Sequence, residues 1–219
     1  MVGAMSDADV PVLAVVLAGV VGGAISPALV IIARWFLRSE HRLGGRVFAV
    51  AAVATPVAAA IVTAAIGMRP ALWAYGVFVC AAVIISIVDV AERRIPNLLV
   101  LPASGVVIVL LATSGLLDDE WPQALGAIVG SASLFLLYAA LALMSPHGMG
   151  MGDVKLAILV GAVTGYLGLS SWLVGMLAGV IIGAIVSLIA VLMNRATRST
   201  LIPFGPSMLA GALVAIALS

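Results

Sequence analysis

Two aspartates in this chain are placed where a carboxylate is hard to keep. Asp89 follows the apolar run Val83–Val88, and Asp153 follows directly on Gly148-Met149-Gly150-Met151-Gly152. An ionisable group in or at the edge of an apolar segment is expensive and marks a candidate functional site. Two carboxylates that face each other share a proton: the ionised member activates water, and the neutral member protonates a carbonyl or a leaving amine. Such a pair titrates as a unit, so no separate roles are assigned within it. The alternating glycines suit this chemistry, because they weaken helix and let a substrate backbone come close. Each acid also has a plain structural reading. Asp89 precedes Arg93 by four residues, the spacing of a helical ion pair. Asp153 could cap a helix N-terminus. Lys155 is not its helical partner, since positions two apart point to different faces.

The elements that must carry these acids are apolar. Hydrophobic residues make up 64% of the 219 and charged residues 9%, with a net charge of +1, against about 25% charged in an average soluble domain. A soluble fold has too little polar surface here to cover itself. Composition therefore excludes a cytosolic globular enzyme, a disordered chain and a basic nucleic-acid binder. The apolar runs are continuous, as in Ala51–Ile66, where a membrane barrel would alternate apolar and polar residues. The fold class expected is an all-α polytopic membrane protein of about eight transmembrane helices. Spans are expected near 10–33, 47–66, 71–89, 98–116, 123–144, 154–169, 172–193 and 204–218, with the sixth and eighth short. The N-terminus lacks the basic start of a secretory signal, so the first helix is expected to stay in the mature protein.

Placing both termini outside the cytoplasm puts Arg34, Arg38, Arg42, Arg46, Arg93, Arg94, Lys155, Arg195 and Arg198 inside and only Arg69 outside, as the positive-inside rule requires. Asp7, Asp9, Asp118, Asp119 and Glu120 then lie outside. Glu40 and Glu92 sit among arginines, which leaves Asp89 and Asp153 as the unexplained acids at the cytoplasmic face. Four-residue glycine spacings, Gly19/Gly23, Gly126/Gly130, Gly161/Gly165 and Gly175/Gly179/Gly183, predict close helix packing within one bundle. A glycine-lined oligomer interface or pore is the other reading.

These residues resemble a known family. Gly150-Met151-Gly152-Asp153 with Val154-Lys155-Leu156 resembles the GxGD-V-K-L signature of type IV prepilin peptidases. Asp89 with Arg93-Arg94-Ile95-Pro96-Asn97 is similar to their first catalytic Asp and its I-P-N turn. Ile202-Pro203-Phe204-Gly205-Pro206 is similar to the motif before their last helix. The resemblance implies an intramembrane aspartic endopeptidase of the bacterial cytoplasmic (inner) membrane. It would remove the basic leader of prepilins or pseudopilins at the cytoplasmic face. Asp89 and Asp153 would be catalytic, and Gly150, Gly152, Lys155, Pro96 and Asn97 would shape the site. Lys155 matches the motif without a role that follows from the residues; an interfacial anchor is its plain alternative. The partners implied are the precursor substrate and the bilayer, with no nucleic acid and a possible homo-oligomer.

Long members of the family carry two C-x-x-C pairs in the first cytoplasmic loop, associated with zinc and N-methylation of the new terminus. The corresponding loop here runs only from Arg34 to Arg46 and holds no cysteine. The lone Cys80 lies mid-helix, reads as a small buried hydrophobe, and cannot build a four-cysteine site. No metal or cofactor and no methyltransferase activity are expected. His41 reads as a solvated or headgroup-facing residue, and His147 as a neighbour of the substrate or of the two acids, which need no histidine for amide hydrolysis. Residues 1–66 are expected to form an N-terminal two-helix region and residues 67–219 a six-helix peptidase core. The rival function is a small proton- or cation-coupled membrane transporter with a discontinuous helix. Against it stand acids near one face and the lack of an evident repeat between the halves. A non-catalytic scaffold leaves both acids without purpose, and a presenilin-type protease would need a Pro-Ala-Leu motif near the C-terminus.

Overall fold

A backbone in lipid must satisfy its polar groups internally, and helices do so within one segment. The computed structural model describes residues 12–38, 43–144, 150–193 and 203–219. Among these it forms eight helices: α1 (Val12–Phe36), α2 (Gly45–Ile66), α3 (Leu72–Glu92), α4 (Asn97–Leu117), α5 (Trp121–Met144), α6 (Met151–Tyr166), α7 (Leu169–Leu192) and α8 (Gly205–Ala217). Six are long and apolar enough to cross a membrane; α6 and α8 are shorter. The protein is a polytopic helical membrane protein. His41, His147, Glu40, Gly148, Met149, Arg195, Arg198 and Ile202 lie outside the described residues.

Most helix ends differ from those expected by one to three residues, and the differences at α3, α6 and the α6–α7 turn have consequences. Helix α3 runs on past Asp89 to Glu92, so this acid occupies a complete helical turn. Helix α6 begins at Met151, which makes Gly152 helical instead of part of an open glycine run. The sixth and seventh helices part at Leu167-Gly168, not at Leu169–Ser171. Gly168 adopts φ +107°, a conformation that only glycine takes without strain.

Helix α6 is the centre of the bundle. Val154, Leu156, Ala157 and every residue from Leu159 to Tyr166 are buried, and α3, α4, α5, α7 and α8 all pack against it. A helix enclosed by protein need not match the bilayer thickness, which accounts for its length of roughly 24 Å at 1.5 Å per residue. Tyr75 on α3 donates to the Val163 carbonyl at 2.7 Å and meets the Tyr166 ring edge-on. Lipid-facing surface is apolar instead of polar, with Val20, Val53, Leu136 and Ile181 more than half exposed.

The glycine stripes are packing surfaces inside this bundle. Gly126 backs onto the Gly165 carbonyl and Gly130 onto the Gly161 carbonyl, so α5 and α6 touch backbone to backbone. Gly211 of α8 sits against Gly175 and Gly179 of α7 in the same way. In α1 the close approach falls on Gly22, whose Cβ would stand 3.0 Å from Pro56 of α2, while Gly23 faces open space. The expected Gly19/Gly23 pairing is thus replaced by a contact one residue away, because Pro56 fixes where α2 comes nearest. Cys80 is half-buried, not buried.

The two ends of the bundle are tied differently. At one end Arg69 approaches Glu120 at 3.6 Å, and Ser114 and Tyr166 share a hydrogen bond of 3.2 Å. At the other, Arg94 donates to Glu92 at 2.6 Å and to the Phe36 carbonyl. The Arg38 amide also donates to Glu92. The end of α1 is thereby fixed to the end of α3, beside Asp89.

Candidate active site

Asp89 sits in the last turn of α3 and is 4% exposed. The helix ends at Glu92, and Arg93 turns into the left-handed region at φ 53°. That turn takes Arg93 off the face it would share with Asp89, and the ion pair of the plain structural reading is not found among the described residues. Its partner comes instead from α8: the Gly205 amide donates to Asp89 Oδ2 at 3.0 Å. Gly205 is the first residue of α8, and its N–H is one of the amides that a helix leaves unpaired at its N-terminus. The positive end of the α8 dipole therefore faces the carboxylate. A side chain at Gly205 would place a Cβ 2.8 Å from Asp89 Oδ2, so glycine is required by proximity.

Asp153 is the third residue of α6, half-buried, with Gly150 as the N-cap. It is not itself the cap. Its amide donates to the Gly150 carbonyl at 3.0 Å, and its carboxylate reaches back to the Gly150 amide, the reciprocal half of a capping box. A Cβ on Gly150 would lie 3.1 Å from Asp153 Oδ2, so the missing side chain makes room for the carboxylate. Gly152 does a different job, letting α6 approach Ile95 to a would-be Cβ distance of 3.0 Å.

The Arg93–Pro96 segment holds the two acids in register. Ile95 is buried; one side meets Gly152 of α6, and its Cδ1 lies 3.3 Å from the position of a Cβ on Gly205 of α8. Pro96 is the N-cap of α4 in extended conformation. Asn97 opens that helix and accepts a hydrogen bond from Lys155 Nζ at 2.8 Å. Lys155 is therefore a strut between α4 and α6. The two carboxylates are close enough for the charge of Asp89 to act on Asp153. All seven residues singled out in the sequence thus converge on one end of the bundle.

Three neighbours carried no assigned role in the sequence. Ile95 and Gly205 lay inside quoted motifs, and only the packing reveals that one wedges the helices apart and the other binds Asp89. Tyr138 of α5 is buried and within electrostatic reach of Asp153. The glycine register between α5 and α6 is the signal that could have found it.

The Type IV leader peptidase family matches residues 76–192, a little over half of the chain. The chain belongs to that family. The matched stretch contains Asp89, Ile95–Asn97, Tyr138 and the whole Gly150–Lys155 segment, while Gly205 lies beyond it. Among relatives is a "Prepilin leader peptidase/N-methyltransferase" of Bacillus subtilis, 30% identical over 141 residues, covering 64% of this chain and 53% of that one. A protein of the same name from Stutzerimonas stutzeri is 33% identical over 135 residues, 60% and 44% of the respective chains. One from Pseudomonas putida is 30% identical over 155 residues, 66% and 52%. The chain spans about half the length of the curated relatives it matches. No solved structure matches it.

Proposed function

We propose that this type IV leader peptidase family member is an aspartic endopeptidase that removes the leader of a type IV prepilin or pseudopilin. In this reading Asp89 and Asp153 are the catalytic pair. The observation that carries it is the convergence of two carboxylates, from the end of α3 and the start of α6, at one end of a membrane bundle. One carboxyl is neutral and hydrogen-bonds the scissile carbonyl; the other is ionised and takes a proton from water as its oxygen attacks the carbon. The C–N bond then breaks, and the amine leaves with a proton from the pair. Two acids that share one proton suffice for this.

The topology of the reading follows the charge pattern. Arg34, Arg38, Arg46, Arg93, Arg94 and Lys155 flank the acid-bearing end, which the positive-inside rule assigns to the cytoplasm of a bacterial inner membrane. The peptidase core is α3 to α8, with α1 and α2 as an N-terminal pair docked beside it. The relatives' name includes N-methyltransferase; we assign only the peptidase half to this chain, since the Arg34–Arg46 loop lacks cysteine. Methylated product on incubation with S-adenosylmethionine and processed pilin would overturn that.

Co-expression with a prepilin tests the central claim. The wild-type chain should shorten the precursor, and Asp89→Asn and Asp153→Asn should each leave it at full length. Normal cleavage by either single variant would sink the paired-carboxylate mechanism.

A further inference from the structure

Helices α5 and α6 run antiparallel, and their glycines fix the register. Gly126 lies against Gly165 and Gly130 against Gly161, each through a backbone carbonyl. Every four residues forward on α5 are thus matched by four residues back on α6. Continuing the same face brings Leu134 opposite Ala157 and Tyr138 opposite Asp153. Glycine contacts leave this register no freedom to slip, because any larger residue at those positions would meet backbone.

Tyr138 is 3% exposed, yet its hydroxyl forms no hydrogen bond among the described residues. It is the only titratable side chain in α5, and α4, α7 and α8 carry none. Among the described residues of these helices, the groups around Asp153 are therefore few: Asp89 from α3, Tyr138 from α5 and, on α6 itself, Lys155, which is committed to Asn97.

We infer that Tyr138 is a positioning residue whose hydroxyl donates to the Asp153 carboxylate in the working enzyme, orienting it toward Asp89 and favouring the pair that carries one negative charge. This rests on the peptidase reading above. Phenol O–H is a donor of fixed reach on a ring that packing locks, which suits it to orient a carboxylate whose other contact is the Gly150 amide. A donor to the charged form of a carboxyl favours that form. Without it the pair ionises less readily, and the water-activating base is present in a smaller fraction of molecules.

Tyr138→Phe tests the idea, because it removes only the hydroxyl and keeps the ring in the core. Purified variant and wild type are compared on a prepilin substrate across pH, with Asp153→Asn as the inactive reference. The expected result is a kcat about 10-fold lower, in line with a hydrogen bond to a charged group, an unchanged KM, and an acid limb of the rate profile displaced to higher pH. Tyr138→Leu, which loses ring and hydroxyl, should fall below Tyr138→Phe and lose thermal stability as well. Wild-type kcat and pH profile in Tyr138→Phe would overturn the inference while Asp153→Asn stays inactive. Activity in Asp153→Asn itself would instead overturn the peptidase mechanism, so the two failures are distinguishable.

Discussion

At the scale of single residues, the site depends on atoms that are missing as much as on those present. Gly205 can lend its amide to Asp89 only because it has no Cβ. Gly205→Ala should push the carboxylate away and break the 3.0 Å hydrogen bond. A charge-assisted bond of about 1.5–3 kcal/mol corresponds to prepilin cleavage slowed roughly 10- to 100-fold, measured as initial rate, with the helical circular dichroism intact. Lys155 works through Asn97 across 2.8 Å, at an exposed position, where a hydrogen bond contributes about 0.5–1.5 kcal/mol. Lys155→Met and Asn97→Ala should each slow cleavage about 3- to 10-fold. The double variant should be no worse than either alone, the signature of one shared interaction in a double-mutant cycle. Additive losses would mean that the two act separately.

At the scale of helices, the decisive feature is the backbone contact between α5 and α6. A Cβ on Gly130 would collide with the Gly161 carbonyl and stand 2.8 Å from Gly165 Cα. Neither neighbour is a flexible side chain, so the helices must separate. Gly130→Ala should lower stability by about 1–3 kcal/mol, read as unfolding temperature in detergent. It should also weaken cleavage, because parting the helices moves Tyr138 from Asp153. Gly105→Ala in α4 is the matched control: nothing lies within 4 Å of its Cβ, and replacing a helical glycine gains about 0.5–1 kcal/mol. Equal effects of the two substitutions would show that helix propensity, not interhelical contact, sets the outcome.

At the scale of the whole molecule, the acids stand at one end of the bundle and the orientation decides which compartment that end meets. Charge counting predicts that the α4–α5 turn lies outside and the α1–α2 loop inside. Cys80 is the only native cysteine, so a Cys80→Ser background gives a clean reporter. Asp118→Cys should react with a membrane-impermeant maleimide in intact cells, whereas Gly44→Cys should react only after permeabilisation. The reverse pattern would put the candidate site outside and remove the proposed access to a cytoplasmic leader.

What the sequence determined by itself was everything that depends on solvent and local spacing. Continuous apolar runs and scarce charge required membrane helices, and the same scarcity isolated Asp89 and Asp153 as acids without local explanation. Motif order then placed Gly150, Gly152, Lys155, Pro96 and Asn97 beside them. The eight helices were legible because each apolar run is bounded by charge or turn residues; the α6 start and the α6–α7 turn were misplaced because small residues read alike in helix and in loop. Only the tertiary structure decided which partner each acid takes. Arg93 was the local candidate for Asp89, but a left-handed turn removes it, and an amide distant in sequence, Gly205, takes its place. Ile95 as a wedge, Lys155 as a strut and Tyr138 opposite Asp153 are likewise relations between helices. Such relations are set by how closely backbones approach, and that distance is a property of packed pairs that no single segment of sequence encodes.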